Sequence, residues 1–109
     1  MRRLVVVLLA IAAVVALPAG AATPKLLGTV GPGFTITLTK KPSKAGKYTL
    51  VVSDKSSIHN FHLKGPGVNV KTSVAKTGTK SFAITLAKGK YTFVCDPHSS
   101  SMKGSFTIK

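Results

Sequence analysis

The chain has little of what usually staples a small protein or lets it read nucleic acid. It has one cysteine, Cys95, so no disulfide can form within it. It has two acidic residues, Asp54 and Asp96, against 14 lysines. Its two arginines, Arg2 and Arg3, stand at the extreme N-terminus, so the rest has no planar fork for bidentate reading of bases or phosphates. A nucleic-acid role is set aside on that ground, although the formal net charge is +14. Its longest apolar run, Leu4 to Leu17, falls short of the roughly 20 residues a helix needs to cross a bilayer.

That short run follows the arginine pair and precedes Pro18 and a series of small residues, the order of a secretory leader. Ala19-Gly20-Ala21 fits a cleavage site, so residues 1–21 are expected to be a signal peptide and residues 22–109 the mature domain. The product is expected outside the cytoplasm: extracellular, periplasmic or associated with the cell surface. Loss of Arg2 and Arg3 would bring the charge to +12 on 88 residues. A domain of that size has a thin core and gains from a metal or a partner. An unpaired thiol outside the cytoplasm tends to oxidise, so Cys95 is either a packed apolar group or is occupied.

Beyond the leader, apolar and polar residues alternate with period two. Phe34, Ile36 and Leu38 share one side of FTITLT, and Tyr48, Leu50 and Val52 share one side of KYTLVVSD. Phe82, Ile84 and Leu86 do so in KSFAITL, Tyr91, Phe93 and Cys95 in YTFVC, and Phe106 and Ile108 in GSFTIK. Gly- and Pro-containing turns separate these runs. The pattern predicts an all-β fold, an antiparallel Greek-key β-sandwich of seven to eight strands, with those residues inside.

Within CDPHSSSMKG, Pro97 has no N–H to continue a ladder, so a loop should carry His98 and Met102 away from the strand that ends at Cys95. Thiolate, imidazole and thioether thus come from one end of the fold. A further ligand must come from elsewhere, and SSIHNFHLKGPG holds the other two histidines. His59 is in phase with Phe61 and Leu63, whereas His62 shares its face with Asn60, so His59 is expected inside and His62 outside. Zinc rarely takes a thioether. Two imidazoles, a thiolate and a weak methionine describe a type 1, blue copper site, with His59, Cys95, His98 and Met102 as the metal ligands.

YTFVCDPHSSSMKGSFTIK, together with IHNF upstream, resembles the motifs of small cupredoxins of the plastocyanin, pseudoazurin and amicyanin kind. The likeness runs from GFTITL to the end of the chain. It implies one copper ion, cycling between Cu(I) and Cu(II), bound by the same four residues. It also implies that Asn60 hydrogen-bonds across to the cysteine loop and its sulfur, and that Pro97 leaves that sulfur short of a second donor. His98 would be the port for electrons. Ser99 to Ser101 give one residue fewer between histidine and methionine than is usual in plastocyanins, and one more than in amicyanins.

The function this implies is a monomeric, exported carrier of single electrons between redox protein partners. The basic surface favours acidic partners and electrostatic association with an anionic cell envelope. Copper trafficking or storage is the alternative use of the same ligands. An enzyme is not expected, since copper enzymes of this kind add a second copper centre and only His62 would be left to build it.

Overall fold

A computed structural model describes residues 22–109; the expected leader, residues 1–21, lies outside the described residues. Eight strands form two four-stranded sheets: β1 Lys25–Val30, β2 Ile36–Thr39, β3 Gly46–Asp54, β4 His62–Gly65, β5 Val68–Lys71, β6 Gly78–Leu86, β7 Gly89–Val94 and β8 Lys103–Ile108. The first sheet runs β2-β1-β3-β6 and the second β5-β4-β7-β8. The chain changes sheet between β3 and β4, between β5 and β6 and between β6 and β7, as a Greek-key sandwich requires.

The period-two residues face each other across the sandwich. Leu26, Val30, Leu38, Leu50, Val52, Ile84 and Leu86 come from the first sheet. Leu63, Val68, Tyr91, Phe93, Phe106 and Ile108 come from the second, with Phe61 just ahead of β4. Burying one such side chain contributes about 1.5–3 kcal/mol. Phe61 stacks on Phe93 with ring centroids 5.5 Å apart, and Tyr91 stacks on Phe106 at 5.2 Å. The buried Tyr91 hydroxyl donates to Pro66 O and accepts from Ala87 N, both at 2.9 Å, tying the crossover between β6 and β7 to the turn after β4.

Two expectations are corrected. The sandwich is not wholly antiparallel: β1 pairs parallel with β3, Leu26 opposite Leu50 and Val30 opposite Asp54. The short link from β2 to β3 passes over the start of β1 and lays β3 along its far side. β1 itself is weakly marked in the sequence, because its middle inward residue is Gly28. A Cβ there would stand 2.8 Å from the Phe61 ring, so the glycine lets the sheets close. The second correction is Phe34, which is 66% exposed instead of packed inward with the partly buried Ile36 and the buried Leu38. The ladder begins only at Ile36, opposite Val30, and Phe34 rides the preceding turn, closed by Gly31 N donating to Thr35 O at 2.9 Å.

Candidate metal centre

His59 follows a tightly bonded turn at the end of β3. The Asp54 carboxylate accepts from Ser56 N at 3.0 Å, and Ser56 Oγ accepts from Ile58 N at 3.2 Å, the local side-chain-to-backbone bonding by which Asp and Ser build turns. Just beyond, Phe61 N donates to Thr72 Oγ1 at 2.9 Å and Thr72 N donates to Phe61 O at 3.0 Å. His59 is thereby set at one end of the sandwich, fully buried.

Cys95 directly follows β7 and is also fully buried. A single 3₁₀ turn, Asp96–His98, then begins, with Pro97 inside it, where a missing N–H leaves no bond unmade. His98 N donates to Cys95 O at 3.0 Å and Met102 N to His98 O at 2.8 Å. Cys95 N donates to Met102 O at 3.0 Å, so the backbones of the two sulfur residues close the loop. Met102 is buried at 1% exposure, whereas His98 is only partly covered.

Three donor atoms converge. His59 Nδ1 lies 3.1 Å from His98 Nδ1, and Cys95 Sγ lies 3.6 Å from His59 Nδ1 and 3.5 Å from His98 Nδ1. Bonds of about 2.0–2.3 Å from one ion span donor separations of about 3–4 Å, so the spacing suits ligands of a single metal. His59 Nε2 is buried without a hydrogen-bond partner. An imidazole whose Nδ1 faces a metal carries its proton on Nε2, and leaving that group unpaired costs about 1–3 kcal/mol. A cation among the three donors offsets that cost, so the residues fit the group. Phe34 covers the rim, its ring edge-on to His59 at 5.0 Å and to His98 at 5.1 Å.

The expected residues fall as follows. His59, Cys95 and His98 are brought together, and Met102 is buried at the end of the same loop. Pro97 is in the turn. Asn60 crosses to the cysteine loop, where its side chain bonds to Asp96. Its Oδ1 accepts from Asp96 N at 2.8 Å, and its Nδ2 donates to Asp96 Oδ2 at 2.8 Å and to Thr72 O at 3.3 Å. Asp96 occupies this amide by offering it both a donor and an acceptor. His62 points to the outer face, as alternation requires, yet it is only 8% exposed, because Asp96 and Asn69 cover it. Burial pushes the Asp96 carboxyl up. Hydrogen bonds from Asn60 and His62 and the charges of His62 and Lys64 outweigh that and hold it below the usual carboxylate value. The sequence reading missed Asp96 and Phe34. Asp96 had a signal in its scarcity, since one of only two acids adjoins the only cysteine.

Comparison with known proteins agrees with this chemistry. The family model described as copper binding proteins, plastocyanin/azurin family, matches residues 29–109. Among solved structures, reduced rusticyanin is similar in fold, with a TM-score of 0.56 and 17% identity over 78% of this chain and 76% of that one. No curated protein matches the chain. The chain belongs to the plastocyanin/azurin family of copper-binding proteins. It is a type 1 blue copper cupredoxin, its metal is copper, and copper binding and electron transfer are, in general terms, its work.

Proposed function

We propose that the protein is an exported one-electron carrier. It holds one copper ion through His59 Nδ1, Cys95 Sγ and His98 Nδ1, with Met102 as a weak further ligand. The convergence of those three donor atoms at one end of the sandwich carries the reading. Bound copper supplies the one-electron couple between Cu(I) and Cu(II). The chain supplies a fixed geometry: His59 hangs from a bonded turn, and Cys95, His98 and Met102 from a loop closed by its own backbone. Such a frame changes little between oxidation states, which keeps the barrier to transfer low.

His98 is the partly exposed member of the set, so its ring edge is the place where electrons pass to a partner. Cys95, His59 and Met102 are shielded from solvent. The partners are redox proteins, and the lysine-rich surface favours acidic ones. Export accords with the leader-like N-terminus, from which cleavage after Ala21 makes residues 22–109 the mature domain.

The visible spectrum and voltammogram of the oxidised, copper-loaded protein test the assignment. An intense thiolate-to-copper band that vanishes in Cys95→Ser, with a reversible one-electron wave, is the expected result. A colourless protein that binds copper equally well without Cys95 rejects it. Tight Cu(I) binding with no reversible wave points instead to copper trafficking or storage. Mass spectrometry of the exported form should find Ala22 or Thr23 at the N-terminus.

A further inference from the structure

The residues facing the metal come from two stretches far apart in the chain, one ending at His59 and one running from Cys95 to Met102. On the outer side of the second sheet a chain of polar contacts joins them. Asn60 and His62 alternate with His59 and Phe61, so both turn away from the core. Asp96 reaches over from the 3₁₀ turn and grips both. Its amide and one carboxylate oxygen are bonded to the Asn60 side chain, while His62 Nδ1 stands 2.8 Å from Asp96 Oδ1 and 3.1 Å from Oδ2. A carboxylate oxygen only accepts, so His62 Nδ1 carries the hydrogen. The other ring nitrogen, Nε2, lies 2.6 Å from Asn69 Oδ1 on the neighbouring strand β5. His62–Asp96 is the one side-chain contact with salt-bridge geometry among the described residues.

We propose that His62 is a positioning residue for the metal centre: braced by Asn69, it fixes Asp96, and Asp96 fixes the Cys95–His98 turn against the segment that runs from His59 into β4. The inference rests on the copper-centre reading and adds to it a residue that is not a ligand. Without the brace, Asp96 has only Asn60 to hold it, and its side chain is already 40% exposed. The turn can then shift relative to His59, and the donor separations at the metal shift with it. The apolar core lies on the other side of the sheet, so this loosening is local.

Amide hydrogen exchange in the protein as isolated, and spectra and potential after copper is added, test the proposal. The Asp96 amide, bonded to Asn60 Oδ1, reports the clasp, and the Phe106 amide in the β7–β8 ladder reports the sandwich. His62→Ala should speed exchange at Asp96 roughly tenfold, about the loss of one hydrogen bond, with Phe106 unchanged. The variant should still bind one copper and remain coloured, but with a shifted reduction potential and altered Cu(II) hyperfine splitting. His62→Asn, whose amide nitrogen can stand where Nδ1 stood, should restore most of both. Should His62→Ala fail to fold, Asn69→Ala on β5 should give the same changes in smaller measure. Unchanged exchange at Asp96 overturns the proposal, as does an equal rise at Asp96 and Phe106, or faster exchange with an unmoved potential. Loss of copper on His62→Ala with the ladder intact would make His62 a ligand and overturn it too. Failure of the copper-centre reading shows separately, as a wild-type protein without the thiolate band, and leaves the exchange result standing.

Discussion

The two sheets bury similar apolar residues but face the solvent with different chemistry. The outer side of β2-β1-β3-β6 carries threonine or serine at Thr29, Thr37, Thr39, Thr49, Ser53, Thr79, Ser81 and Thr85, with lysine only at Lys25 and Lys47. The outer side of β5-β4-β7-β8 carries Lys64, Lys71, Lys90 and Lys103 and also the His62 brace. Among the described residues no lysine stands within ion-pair distance of a carboxylate, because Asp54 is engaged by its own turn and Asp96 by His62 and Asn60. The second sheet therefore carries the Cys95–Met102 loop and the denser row of strand lysines, while the first supplies the turn that leads to His59. The same fold gives its two faces separate tasks through the residues at alternate positions.

The sharpest test of that division sets a donor against a core residue. His59→Ala should abolish the visible band and lower copper stoichiometry, measured by absorption and metal analysis. Leu50→Ala, fully buried in the first sheet, should cost about 2–5 kcal/mol in chemical unfolding and leave the band in place. Equal spectral damage from both would break the distinction.

Charge tests it next. Stopped-flow transfer to an acidic redox protein should slow about tenfold or more between 0.01 M and 0.1 M salt, as the Debye length falls from roughly 30 Å to about 10 Å. Replacing Lys64, Lys90 and Lys103 with Gln should flatten that dependence more than replacing Lys25 and Lys47. A neutral small oxidant should show little change with either set.

The smallest expected effect lies where the first sheet touches the metal end. Phe34→Ala removes two edge-on ring contacts to the histidines, worth about 0.5–1.5 kcal/mol each at most, from a side chain already largely in solvent. The unfolding midpoint should fall slightly and the Cu(II) spectrum shift slightly, with copper stoichiometry unchanged. A bleached site would mean that the first sheet does more than supply the turn to His59.

The sequence disclosed the strands whose alternation is clean, and with them the core and the three converging donors, since period two fixes which way each side chain turns. It concealed whatever depends on pairing between distant segments. Nothing local says that β1 runs parallel to β3, and Gly28 hides a core position because its role is to admit the Phe61 ring. Phe34 continues the alternation on paper, but the ladder starts two residues later. His62 shows the limit most clearly: its direction was legible, its cover was not, because Asp96 arrives from the 3₁₀ turn and Asn69 from β5.

The loop from Cys95 to Met102 is bounded by Val94 and Lys103, which are register partners in the β7–β8 ladder, and it closes on itself between Cys95 N and Met102 O. It is thus a module plugged into a hairpin whose rails do not depend on its length. Ser99, Ser100 and Ser101 are all exposed and make no core contact. Adding or deleting a serine would change how Met102 approaches the metal while leaving both sheets in register. The redox properties of such a protein can drift, or be engineered, without the fold having to be solved again.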